Sequence, residues 1–173
     1  WNPPITRLYS SPLRRALQTA QAIACHLGLQ IFTHPDLREI DLGQVNGLSM
    51  EEFAQAFPEH YARWQDRFDL GYTWPGGEQR QAFFERVAAA AREIVARHPG
   101  ETLVWVSHGG TIRAALAGLV AGTGPSWWKY ELDNASISHV RVGEDGHSEV
   151  LSLNDVEHLA SLSEEEDRDK DRK

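Results

Sequence analysis

Apolar positions alternate over Ile5 to Tyr9, which predicts a short strand. Ser10-Ser11-Pro12 then reads as a helix start, with Ser11 able to cap and Pro12 suited to the first helical position. Leu13, Leu17, Ala20, Ala24 and Leu27 follow at helical spacing, and Gly28 stops the stripe. Ile31 to Thr33 is a weak strand signal, and Leu37 to Gly47 reads as a loop. Ser49-Met50-Glu51-Glu52 is a capping box ahead of Phe53 and Phe57, and a further helical patch covers Tyr61 to Phe68. Leu70 to Gly77 is a loop. From about Glu78 to His98, Phe83, Val87, Ala91, Ile94 and Val95 mark a long helix that Pro99-Gly100 ends. Thr102 to Val106 is a continuous apolar run between turn signals, the pattern of a strand buried on both faces. Ser107 to Gly110 breaks it, and helix resumes over Thr111 to Val120. Ile137 to Val142 and Glu149 to Leu153 alternate around Gly143-Glu144-Asp145-Gly146, an antiparallel hairpin.

Strands alternating with helices predict a three-layer α/β/α domain with a mostly parallel central sheet, spanning residues 1–160. The 173 residues suffice for one such domain and its core. Residues 161–173 form a charged tail: from Ser163 to Lys173 there are six acids and four bases, read as a solvated end. With 41% hydrophobic and 24% charged residues, the chain is neither disordered nor fibrous. A net charge of −8 argues against general nucleic-acid binding, which needs a basic face. It leaves room for a small anion held by a local Arg/His cluster. No uninterrupted apolar stretch is long enough to span a membrane. The single cysteine, Cys25, permits no internal disulfide, and with no visible signal peptide a cytoplasmic setting is expected. No metal and no cofactor are expected, and association as a homodimer is left open.

The candidate chemistry sits at two strand-to-helix junctions, Leu8 to Ala16 and Val104 to Arg113. In open α/β sheets ligands bind beyond the carboxyl ends of the strands, where helix N-termini attract anions. The first junction carries Arg15 and the second carries His108 followed by Gly109-Gly110. Each feature alone has an ordinary reading: a solvated arginine, a satisfied histidine, a tight turn. Converging at one sheet end, they would make a phosphate site.

Four blocks resemble the histidine phosphatase superfamily, the phosphoglycerate-mutase-like proteins, and stand in that family's order. They are Ser10 to Ala20, Leu37 to Gly43, Pro75-Gly76-Gly77-Glu78 and Ser107 to Arg113; Asn134-Ala135-Ser136 and the last hairpin also fit. The resemblance spans Ile5 to about Leu159. It implies a phosphoglycerate-mutase-like fold and hydrolysis of a small phosphorylated metabolite through a phosphohistidine. It assigns Arg15 to clamping the phosphoryl oxygens, His108 to holding a nonbridging oxygen, and the Gly109 N–H to assisting. Glu39 becomes the proton donor to the leaving oxygen, a role that needs a carboxyl kept protonated near neutrality. Burial beside a dianionic phosphate would push its pKa that way.

The family's nucleophilic histidine lies in an Arg-His-Gly motif at the end of its first strand, and none of the eight histidines here has that context. The chain opens on Trp1-Asn2-Pro3-Pro4 without Met, so the nucleophile is expected upstream of Trp1. There it would lie on a strand beside Thr102 to Val106. Without that strand the sheet should be interrupted in its middle, and the chain alone should fold poorly and be inactive. Gly43-Gln44-Val45-Asn46-Gly47 departs from the aromatic-Glu-Gly pattern of many relatives. The short connection between Glu39 and Glu78 favours a small phosphatase; a phosphoglycerate mutase and an inactive phosphate-binding module are the alternatives. Phe68, Tyr72 and Trp74 fit either a lid over the site or the packing of a helical cap.

Overall fold

A computed structural model describes residues 4–122 and 124–160; the charged tail lies outside them. Three parallel strands, β1 (Ile5–Ser10), β2 (Ile31–Thr33) and β3 (Thr102–Val106), form a sheet in the order β2-β1-β3. Helix α1 (Arg14–Leu27) connects β1 to β2 and lies along all three strands. Side chains alternate across a strand, so Tyr9, Leu103 and Trp105 share one face, where they meet Ile94 of α4 (Arg80–Arg97). Leu8 points the other way and is fully buried. Helix α5 (Gly109–Leu116) packs beside α4 through Ala114 and Ala115 against Phe83, Phe84 and Val87. Two helical layers thus sandwich a parallel sheet. The hairpin of β4 (Ile137–Val142) and β5 (Ser148–Asp155) is a separate antiparallel pair.

Between β2 and α4 the chain forms a small helical cap. Ser49 accepts from the Glu52 N–H and Glu52 reaches back, so the capping box opens α2 (Met50–Ala56). Pro58 then opens α3 (Pro58–Trp64), whose only sharp boundary signal is that proline. Phe53 is fully buried among Val45, Tyr72 and Trp74. Replacing it with Ala would cost about 3–5 kcal/mol.

Four expectations need correction. First, α1 begins at Arg14 with Leu13 at the N-cap, so neither Ser11 nor Pro12 belongs to the helix start. The Ser11 hydroxyl is used elsewhere, as described below. Second, every residue of β3 is half-buried, because β3 is the sheet's edge: β1 pairs on one side and no strand pairs on the other among the described residues. Third, the sheet is not interrupted in its middle, since β1 and β3 pair directly from Ile5↔Thr102 to Ser10↔Val106, with one irregularity near Arg7. Fourth, of the two readings of the aromatic group the lid fails and the cap packing holds for Tyr72 and Trp74, which are buried in the cap core with Trp74 5.3 Å from the Tyr72 ring and 5.5 Å from the Phe53 ring. Phe68 is 62% exposed and meets the edge of Trp128.

Candidate functional site

Because the three strands run parallel, Ser10, Thr33 and Val106 all end at one rim. The Ser11 N–H donates to the Val106 carbonyl at 2.9 Å, which ties the two junctions together. Arg15, the second residue of α1, donates from Nε to His108 Nδ1 at 3.1 Å. A guanidinium can only donate, so Nδ1 must accept and the proton of the neutral imidazole sits on Nε2. That Nε2–H faces the Ser11 Oγ at 2.8 Å. Ser11 Oγ also accepts from the Leu13 N–H at 3.2 Å. Ser10 and Ser11 are fully buried and His108 is nearly so, while Arg15 is exposed.

This arrangement holds His108 neutral. Burial pushes the imidazole pKa below its usual value, the Arg15 charge pushes it further, and the Glu39 carboxylate acts weakly in the opposite direction. Arg15 has no carboxylate within ion-pair distance among the described residues, although acids outnumber bases in the chain. A positive field therefore stands at the rim with a neutral hydrogen-bonding ring beneath it, an arrangement that favours an incoming anion.

Glu39 reaches the same rim from the loop after β2. Its Oε2 accepts from the Gly110 N–H at 2.9 Å, and its Oε1 accepts from the Ile40 N–H at 3.0 Å and lies 3.3 Å from Thr111 Oγ1. A carboxylate on a helix N-terminus is favoured by the free N–H groups and the helix dipole. A Cβ at Gly110 would come within 2.5 Å of Glu39 Oε1, so a side chain there would push the carboxylate aside. Gly109, the first residue of α5, stands exposed with nothing within 4 Å of where a Cβ would lie. The sequence thus singled out Gly109, whereas the bonded N–H of this pair is that of Gly110.

The Glu39 loop is stitched down from several sides. Ser107 Oγ donates to the Leu37 carbonyl at 2.6 Å and Thr111 Oγ1 to the Arg38 carbonyl at 3.0 Å. Arg86 of α4 donates to the carbonyls of Asp36 at 2.8 Å, Arg38 at 3.1 Å and Glu39 at 3.3 Å. Both Glu78 oxygens hold that guanidinium, at 2.6 and 2.9 Å. The Pro75-Gly76-Gly77-Glu78 block thus supports the acid-bearing loop. Gly77 lets the two segments touch, because a Cβ there would overlap the Asp41 carbonyl.

The structure therefore brings Arg15, His108 and Glu39 to one rim. Sequence reasoning missed Ser11 as a partner of His108, and Arg86 as the support of the Glu39 loop. Ser11 stood inside a recognised block but was read only as a cap. Arg86 pairs with Glu78 eight positions before it, but the carbonyls it holds lie some 50 positions away in the chain.

A parallel sheet whose carboxyl rim gathers arginine, a neutral histidine and a helix N-terminus defines an α/β protein with its charged cluster at the strand ends. More narrowly, the chain belongs to the histidine phosphatase superfamily (branch 1), whose family model matches residues 2–156. It is 32% identical over 155 residues to Phosphoserine phosphatase 1 of Hydrogenobacter thermophilus, covering 90% of this chain and 72% of that protein. It is 36% identical over 158 residues to Phosphoglycerate mutase-like protein 4 of Arabidopsis thaliana, covering 90% of this chain and 66% of that one. Among solved structures it resembles a mycobacterial glucosyl-3-phosphoglycerate phosphatase complexed with VO3. That match has a TM-score of 0.75 and 28% identity, and covers 87% of this chain and 77% of the other. The chain thus spans about two thirds to three quarters of the lengths of these proteins.

Proposed function

We propose that this protein hydrolyses a phosphomonoester of a small metabolite through a phosphohistidine, with Arg15, His108 and Glu39 serving a nucleophilic histidine upstream of Trp1. The observation that carries the reading is that Arg15 spends its Nε–H on a neutral histidine rather than on a carboxylate.

In this reading the Arg15 guanidinium takes the phosphoryl oxygens, a geometry it can satisfy in bidentate fashion. His108 supplies a second contact. A dianion beside it offsets the Arg15 charge and draws the imidazole toward its protonated form. The upstream histidine attacks phosphorus, the phosphorus–oxygen bond to the alcohol breaks, and Glu39 passes its proton to the leaving oxygen. Water then attacks phosphorus, the phosphorus–nitrogen bond breaks, and the Glu39 carboxylate takes the proton from water. Positioning and charge neutralisation carry such a transfer, and arginine and histidine supply both here.

Two observations support placing the nucleophile outside this chain. Both His108 nitrogens are engaged, His34 and His98 face Glu93 and the Tyr9–Glu101 pair, and His60 packs between the Phe57 and Tyr72 rings. In addition, the outer edge of β3 has no partner strand among the described residues, so a strand can add there. The two short helices between Glu39 and Glu78 support a phosphatase over a mutase, and phosphoserine and phosphorylated sugar acids are the first substrates to try.

The test compares residues 1–173 with the same chain extended upstream through an Arg-His-Gly segment. A panel of phosphorylated metabolites is scored for phosphate release, and 3-phosphoglycerate for isomerised product. Only the extended protein should release phosphate. Full activity in residues 1–173 alone would refute the upstream nucleophile, and isomerised 3-phosphoglycerate as the main product would replace phosphatase by mutase.

A further inference from the structure

His108 lies across the rim with one nitrogen inward and one outward. Nε2 meets the fully buried Ser11, whereas Nδ1 meets the exposed Arg15 in a partly buried contact. Ser11 Oγ has two lone pairs, and donors take both: the His108 Nε2–H at 2.8 Å and the Leu13 N–H at 3.2 Å. Leu13 is the N-cap of α1, the helix that carries Arg15, so backbone holds the hydroxyl in place. The Arg15 Nε–H fills Nδ1 from the other side. Every hydrogen bond to the ring thus agrees on one tautomer, with the proton on the buried nitrogen and a bare lone pair toward the rim.

That tautomer cannot itself bond to an anion. The oxygens of sulfate or fully ionised phosphate only accept, and so does a bare Nδ1. Ring and anion share a hydrogen bond only after a proton reaches Nδ1 and the Arg15 Nε–H leaves it. The Nε2–H stays where it is, because Ser11 Oγ accepts it in either state. Arg15 from α1 and Glu39 from the loop after β2 are the charged groups that act on the ring. A dianion more than cancels the Arg15 charge, and the Glu39 carboxylate already favours the imidazolium.

We propose that Ser11 is a positioning residue, which holds the His108 proton on the buried nitrogen so that an anion enters the rim together with one proton, taken up at Nδ1. The arriving proton gives His108 two N–H groups, Nε2–H on Ser11 and Nδ1–H on the anion. It also frees the Arg15 guanidinium to turn wholly to the same oxygens. A dianion is then met by two positive charges, and without the anion the rim holds only one of them. In the phosphatase reading, on which this rests, the rim takes the phosphoryl group; here its second positive charge arrives with the ligand.

The probe is sulfate, a tetrahedral dianion that does not itself titrate near neutrality. It is titrated calorimetrically into the full-length protein in buffers of different ionisation enthalpy. At about pH 7.5 each bound sulfate should bring about one proton, and the affinity should fall about tenfold per pH unit above neutrality. His108→Gln should bind sulfate without proton uptake. Ser11→Ala leaves the imidazolium Nε2–H with no acceptor, so its affinity should be about tenfold lower at pH 7.5 and converge on wild type toward about pH 5. A merely structural role of Ser11 would lower the affinity equally at every pH. Long-range proton–nitrogen NMR correlations of the His108 ring read the protons directly: Nε2 alone protonated without sulfate, both nitrogens protonated with it. If Ser11→Ala unfolds, that spectrum decides, and a ring protonated at Nδ1 without sulfate would overturn the role of Ser11. A Ser11→Ala profile that equals or parallels wild type would do the same. Sulfate binding to wild type without proton uptake, or uptake that persists in His108→Gln, would overturn the proton coupling and leave the phosphatase reading standing, with Arg15 alone meeting the anion. No sulfate binding at any pH would remove the rim as an anion site, and both would fall together.

Discussion

The two ends of the parallel sheet each hold a histidine and an arginine, and they treat them in opposite ways. At the carboxyl rim, Arg15 donates to His108, so a positive charge faces a neutral ring and no acid closes the pair. Toward the amino end, His98 lies between the Tyr9 hydroxyl at 2.9 Å and Glu101 at 3.2 Å. Glu101 also accepts from Thr6 at 2.7 Å and pairs with Arg7 at 3.5 Å. The amino-end group is complete: donors meet acceptors and opposite charges meet. It is a clasp that fastens β1 to the turn between α4 and β3. The carboxyl-end group leaves its positive charge without an acid among the described residues, and in the proposed function an anion completes it. The same residue types thus become a fastening or a site according to whether their charges close among themselves.

The largest contrast should come from the two arginines. Arg15→Met should lower kcat/KM for phosphate-ester hydrolysis in the extended protein by ~10²–10³-fold, the cost of one lost donor to developing oxyanion charge. It should also abolish measurable inorganic phosphate binding to residues 1–173. Arg7→Met should change both by no more than about twofold. Equal effects of the two substitutions would erase the distinction between the ends.

Next in size is the acid. Glu39→Gln should slow turnover by ~10²-fold or more while leaving phosphate binding largely intact. The amide oxygen can still accept from the Gly110 N–H at the loss of the Ile40 bond, and the Ser107, Thr111 and Arg86 bonds to the loop's carbonyls should keep it in place. Unchanged turnover with a poor leaving group would remove Glu39 from the chemistry.

Much of this contrast was legible in the sequence. The apolar runs of β1 and β3, the turn residues after each and the capping box at Ser49 all depend on neighbours a few positions away. Reading them placed Arg15 and His108 at one rim, while Glu39 was reached only through the resemblance to the histidine phosphatase family. What escaped reading depends on distant partners. Ser11 accepts from a histidine 97 positions on, a contact that displaced it from the helix cap assigned to it. An apolar run does not say whether a strand is central or at an edge, so β3 read as buried on both faces. Tyr72 and Trp74 gave no local sign of whether they face solvent or core. Phe53 and its neighbouring rings decide that. The clasp at Glu101 also went unread, since its members come from one strand and a turn nearly a hundred positions apart.

A smaller effect is expected at the clasp. His98→Phe removes the partner of the Tyr9 hydroxyl, which is mostly buried, at a cost of about 1 kcal/mol. For a domain of this size that lowers Tm by about 2–4 °C. Thermal melting should show the loss, and phosphate binding to the carboxyl rim should be unchanged. A variant that melts normally but binds phosphate poorly would show that the two ends are coupled.

The last contrast is in acid sensitivity. His108 has its pKa lowered, by burial first and by Arg15 second. The unfolded chain therefore binds this proton at a higher pH than the folded one does. Its contribution to stability is present above about pH 6.5, the ordinary histidine value, and is lost progressively as pH falls below it. Glu101 is lowered too, but there the charged form is favoured: hydrogen bonds from Thr6 and His98, with Arg7 adding a smaller effect, hold its carboxyl below the ordinary carboxylate value. Its contribution persists above that range and is lost as pH falls through it, at roughly pH 4.5 and below. Urea midpoints measured from pH 8 to about pH 3 should thus decline in two stages. His108→Gln should flatten the stage below pH 6.5 and spare the lower one, while Glu101→Gln should do the reverse. An unchanged slope between pH 7 and pH 5 in His108→Gln would mean that the rim histidine is not held neutral by its surroundings. The electrostatic difference between the two ends would then fall.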